Sequence, residues 1–176
     1  MERIMNLGRV FCGMVMAVAV HCGAAAYAAD NNIIMPFRAS RLSNWDGTAV
    51  DEKCTLGQLL DRFQEKYFRK IRYETPKTDN GAVTLVVQCV VDFDKFPYAR
   101  ELRNRYDEIR YVVVFVQQAD LIMTSGAGNY RTGKDGTSAG GMEWSFPTVQ
   151  EAVGAIAGKV EYVPDSELAR AFRPAR

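Results

Sequence analysis

The sequence predicts an α+β fold: an antiparallel sheet of three or four strands, packed on one face by an N-terminal helix, with a second helix near the C-terminus. Three observations predict it. Two segments, "CTLGQLLDRFQEKYF" from Cys54 and "PTVQEAVGAIAGKV" from Pro147, repeat apolar residues at helical spacing. Each opens on a capping box, Thr55 with Gln58 and Thr148 with Glu151. Between them lie runs with the period-2 alternation of half-buried strands, separated by turn chemistry.

The N-terminus comes first. Arg3 and Arg9 precede an apolar run from Val10 to Val20 and the small residues "GAAAYAAD", which together read as a secretory signal peptide over residues 1–28, cut after Ala28. The run is shorter than the ~20 residues of a spanning helix, so no membrane span is expected. Lipidation would need Cys22, but His21 precedes it where small residues are required, so no lipid anchor is expected. Localisation is therefore expected to be periplasmic or secreted.

Removing residues 1–28 takes away Arg3, Arg9 and Glu2. The 22 basic and 21 acidic residues become 20 of each (22 − 2 and 21 − 1), so the mature chain is neutral. A neutral chain lacks the basic excess that nucleic acid or an anionic membrane rewards through counterion release. The only histidine, His21, leaves as well. That excludes histidine-based nucleophilic triads, histidine general bases and histidine metal sites, and no cofactor is expected.

Residues 29–53 mix Pro, Asn, Gly and charge without a period and read as an extended segment, anchored at Trp45 and the "DGT" turn. Residues 54–163 form a single domain. Its first helix carries Leu56, Leu59, Leu60, Phe63 and Tyr67 on one stripe, with Gly57 in its first turn. Ile71, Tyr73 and Thr75 alternate with Arg72 and Glu74 as a strand, "PKTDNG" turns, and Val83, Leu85, Val87, Cys89, Val91 and Phe93 share one face of the next strand. Tyr98, Leu102 and Tyr106 ride a short helix begun by Pro97. The strand over 109–118 is apolar on both faces from Val112 to Val116, which predicts a central position. "LIMTS" is a short fourth strand, residues 125–146 a long Gly-rich loop, 148–160 the second helix, and 164–176 a polar tail.

Cys54 and Cys89 remain after export. An oxidising compartment favours a disulfide between them, worth roughly 3–4 kcal/mol in the chain-entropy model. The alternatives are two buried free thiols, or a reactive thiol at the helix N-terminus. Asp92 and Asp94 on one strand face could act as a carboxylate pair or simply be solvated.

"GAGNYRTGKD" spells seven positions of a phosphate-binding loop, Gly128 then Gly133-Lys134, but puts Asp135 where Ser or Thr should hold Mg²⁺. No helix start follows Lys134, so the stretch reads as a flexible loop leaving the last strand. Its Tyr130, Arg131 and Lys134, with Trp45 and Trp144, form the expected contact surface; Phe146 is a further loop aromatic. The same aromatics could instead plug the ends of the core.

The order "CTLGQLLDRFQEKYF", "KIRYETPKTDNGAVTLVVQCVVDF", "IRYVVVFVQQADLIM" resembles β-lactamase-inhibitor-protein-like domains and small outer-membrane-assembly lipoproteins over residues 54–125. That resemblance implies a non-catalytic module that binds an envelope or secreted protein. Two other readings stand beside it: a small-ligand or enzymatic protein using Lys134, Asp135 and Ser138, and a structural subunit of an envelope assembly.

Overall fold

A computed structural model describes residues 31–74 and 76–172, the side chains from Ile34 onward. The expected signal peptide, its cleavage site, Cys22 and the last four residues of the tail lie outside the described residues.

The first helix, α1 (Asn31–Ala39), and a two-residue strand, β1 (Leu42–Ser43), occupy the segment expected to be extended. Burial of Ile34 and Phe37, three residues apart, makes this a docked helix despite Pro36 inside it. It leads to α2 (Leu56–Tyr67), where the expected capping box is complete: Gln58 N–H donates to Thr55 Oγ1 and Thr55 N–H to Gln58 Oε1. Gly57 has a packing reason, since a Cβ there would stand 2.9 Å from the Arg38 carbonyl oxygen of α1. At the other end Lys95 Nζ donates to the carbonyls of Gln64, Glu65 and Phe68, a cation on the helix's negative pole.

The chain enters β2 (Phe68–Tyr73) directly, then β3 (Lys77–Asp79) and β4 (Ala82–Val91). Asn80 and Gly81, both at positive φ, close the β3–β4 hairpin with the two-residue turn that matches strand twist. A 3₁₀ turn (Phe93–Lys95) and α3 (Ala99–Arg105) lead to β5 (Tyr106–Gln118) and β6 (Leu121–Gly133). β7 (Ser138–Gly140), α4 (Phe146–Ile156) and α5 (Ser166–Ala171) follow.

The sheet has the order β1-β6-β5-β4-β2, with β3 pairing on β4 and β7 on β6. It is larger than the expected three or four strands, and it is mixed, because β1 runs parallel to β6 through Leu42↔Ile122 and Ser43↔Met123. The remaining pairs are antiparallel, and β5 is central, as its two apolar faces require. Residues 125–146 are not a loop: most of the first half continues β6, and β7 returns along it through Tyr130↔Gly140 to Thr132↔Ser138.

One face of the sheet carries Leu85, Val87 and Cys89 of β4 with Ile109, Tyr111, Val113 and Phe115 of β5, all buried under the apolar stripe of α2. α4 packs beside α2 and against β6. It begins earlier than its Thr148 cap predicts, with Ser145 as N-cap and Pro147 in the first turn, and the Thr148 hydroxyl donates to Glu143. Tyr162, in the segment after α4, enters the core among Phe63, Phe68 and Tyr111 at 5.9, 5.1 and 4.7 Å between ring centroids. Its hydroxyl donates to Asn129 Oδ1 at 2.6 Å, and its burial raises its pKa well above the ordinary phenol value.

Cys54 and Cys89 are both buried and both free thiols, so the expected bridge is not formed. Cys89 pairs with Tyr111, whose ring meets that of Phe63 at 6.1 Å. Cys54 lies before the N-cap Thr55 of α2, and Phe63 stands seven positions into that helix, a rise of about 10 Å from Leu56. A disulfide tolerates Cα separations of only about 4.4–6.8 Å. Burial pushes the Cys89 thiol up, which makes it an inert core group.

Candidate functional site

The most distinctive construction is the outer border of β6. Ala127 and Glu143 exchange main-chain hydrogen bonds, N–H of each to C=O of the other at 3.0 and 2.9 Å, so the strap 138–143 runs along that border. Two glycines let it approach. A Cβ on Gly128 would fall 1.9 Å from the Gly141 carbonyl oxygen, and one on Gly126 would fall 2.5 Å from the Trp144 ring. The glycines of "GAGNYRTGKD" thus serve close packing and not mobility.

This seating holds the Trp144 ring over β6 while leaving the residue 52 % exposed. Phe146, the first residue of α4, is 59 % exposed. At the β1 end of the same border, Trp45 and Leu121 are each 39 % exposed, and Gly47, two residues after Trp45, faces Leu121 Cδ1. Four large apolar side chains, on β6 itself and on the segments that adjoin it, are therefore partly exposed. Leu121 is the member the sequence conceals, since it reads as the start of a strand.

The other expected contact residues take different roles. Arg131 is half-buried and donates twice to the Pro164 carbonyl, at 3.3 and 2.9 Å, which anchors the C-terminal segment. Nearby, the buried Asp165 accepts from the Tyr106 hydroxyl and from the amides of Glu167 and Leu168. Tyr130 is half-buried in β6 between Arg110 and Gly140. Lys134 pairs with Asp107 at 2.6 Å.

The phosphate-loop reading finds no support in this geometry. Gly128 and Gly133 lie within β6, and a tight turn, not a helix, follows Lys134. Asp135 accepts from the Thr137 amide and hydroxyl, bonds that hold its carboxyl below the usual range. Ser138 stands exposed in β7, while Lys134 is engaged by Asp107 and Asp135 by Thr137. Lys134 does line a cleft of about 270 Å³ with Arg69, Arg103, Asp94 and Glu108. Its cations are already neutralised: Arg103 binds Asp94, Arg69 lies 3.4 Å from Glu108, and Lys134 holds Asp107. An anionic ligand there would have to break these pairs.

Asp92 and Asp94 are also separated from the role their spacing suggests. β4 ends at Val91; Asp92 caps the 3₁₀ turn by accepting from the Asp94 amide, and Asp94 turns to Arg103. Among the described residues no grouping of three or more His, Cys, Asp or Glu is arranged to hold a metal ion, and no helix is long and apolar enough to cross a membrane. No protein-family model matches the chain, and neither a curated protein nor a solved structure does.

Proposed function

We propose that this chain is a non-enzymatic, exported protein-binding module of the cell envelope, and that it engages another envelope or secreted protein through the β6 border. The observation that carries the reading is that Trp45, Leu121, Trp144 and Phe146, four large apolar side chains on β6 and on the segments beside it, stay 39–59 % exposed. Aromatic anchors of this kind supply most of the binding energy at protein interfaces. The N-terminal basic, apolar and small-residue pattern supports export.

The test is site-specific photocrosslinking in the native host, with the reactive group at Phe146 and, as control, at the exposed Glu65 on α2. A discrete adduct from Phe146 alone, lost when Trp144 is changed to Ala, is the expected result. Equal labelling from both positions, or none from Phe146, would sink the reading.

A further inference from the structure

The opposite border of the sheet is chemically unlike the first. β2 is the terminal strand of the order β1-β6-β5-β4-β2, and among the described residues its outer side pairs with nothing. The strand reads Phe-Arg-Lys-Ile-Arg-Tyr and holds three cations and no acid. Lys70 and Arg72 are exposed, on the sheet face away from α2, while Ile71 and Tyr73 are half-buried on the helix-covered face. Arg69 is drawn toward Glu108 at 3.4 Å, and Glu74, the nearest acid in sequence, accepts from Gln88. Lys70 and Arg72 thus project their charge outward.

The main-chain alternation of β2 is fixed by one bond, from the Glu74 amide to the Val86 carbonyl at 2.9 Å. With Arg72↔Gln88 and Lys70↔Val90 in the same register, the amides of Arg72 and Lys70 turn in toward β4. Those of Ile71 and Tyr73 therefore turn outward, donors and acceptors ready for another strand.

We propose that the β2 edge takes up an extended acidic segment of another protein as an added strand, its main chain on Ile71 and Tyr73 and its carboxylates facing Lys70 and Arg72. Charge complementarity selects the occupant. A second copy of the chain is disfavoured, because an antiparallel pair of β2 strands centred on Ile71 would set Lys70 directly against Arg72 of its partner, and like charges in directly opposed positions destabilise a sheet. An apolar or basic segment would leave these two cations without counterions beside it. An alternating acidic and apolar strand meets both faces of the edge, the recognition mode in which backbone bonds give affinity and alternate side chains give specificity. The inference does not depend on the aromatic β6 border, which lies across the sheet.

The experiment adds a capped peptide alternating glutamate and valine, about six residues long to match an ordinary strand, to the purified protein, and follows backbone amide exchange by NMR. Saturable binding that slows exchange of the Ile71 and Tyr73 amides is expected, weakening as salt is raised. The counterpart with lysine for glutamate should not bind. Lys70→Glu combined with Arg72→Glu should weaken the acidic peptide about tenfold or more and admit the lysine peptide. The proposal is overturned if the acidic peptide fails to saturate, if it binds without protecting those two amides, or if charge reversal leaves its affinity unchanged. Self-association through β2, seen as a concentration-dependent mass with the same amides protected, would overturn it equally. Should the double variant not fold, amide protection in the unaltered protein still decides.

Discussion

The guanidinium of Arg38 donates to both carboxylate oxygens of Asp61, at 2.8 and 2.7 Å, and its other terminal nitrogen donates to the Tyr73 hydroxyl. One side chain thereby ties α1 to α2 and to the end of β2. The bond to Asp61 raises the pKa of Arg38, and burial raises that of Tyr73. The Asp61 side chain is 60 % exposed, so solvent screens the pair. Arg38→Ala is expected to cost about 1–2 kcal/mol, read as a lower urea midpoint. Arg38→Lys keeps the charge but not the two-pronged geometry and should recover less than half of the loss.

Gly128→Ala should be among the most damaging small substitutions in the chain. Its methyl group would overlap the Gly141 carbonyl oxygen, a backbone atom that cannot move alone. A loss of about 2 kcal/mol or more is expected, measured by denaturant unfolding. Gly126→Ala meets the Trp144 ring, which can swing out. That variant should be milder and should shift tryptophan emission to the red. Equal damage from both would contradict the seating of the strap.

Ala119 in the β5–β6 turn has a φ of 52°, a region that disfavours a side chain. Ala119→Gly is expected to stabilise the protein by about 1 kcal/mol, visible as a higher thermal midpoint. An unchanged or lower midpoint would show that the turn relaxes elsewhere.

Burial opposes ionisation of Asp165, but the amides of Leu168 and Glu167, the Tyr106 hydroxyl and Arg131 outweigh it and hold its pKa below the usual carboxylate value. A carboxyl with a lowered folded pKa contributes stability that is present above its unfolded value, about 3.9. That contribution is lost as pH falls through the folded value. Urea midpoints should decline below about pH 4, and Asp165→Asn, which can still accept the two cap bonds, should flatten the decline.

The elements legible in the sequence are those whose signals are local. Thr55 and Gln58 mark the start of α2 because both cap bonds lie within one turn. The alternation of Leu85, Val87 and Cys89 marks β4 because one face is buried under a helix. Val112 to Val116 betray the central strand because both of its faces are buried. α1 was masked by Pro36 and by a stripe of only two described buried residues, Ile34 and Phe37. β6 was masked by Gly126 and Gly128, which look like loop residues until Trp144 and Gly141 are placed against them.

The same distinction governs the candidate site. Trp45, Trp144 and Phe146 announce themselves as aromatics outside the regular pattern, and the structure leaves them partly in water. Arg131 and Lys134 resemble free cations in sequence, but their partners Pro164 and Asp107 are 33 and 27 residues away. No local pattern encodes such a pairing. The β2 edge was equally hidden, because "FRKIRY" reads as a strand without revealing that one side of it stays open.

The parallel seam between β1 and β6 sets an order of events. Leu42 and Ile122 are neighbours in space but 80 residues apart in the chain (122 − 42). A ribosome adding about 5–20 residues per second delivers Ile122 roughly 4–16 s after Leu42. During that interval β1 has no lane to enter, and α1 can rest on α2 without its final tether. The beginning of this domain is thus synthesised early and fastened late, and Leu42 stays without its final neighbour until the sixth strand has emerged.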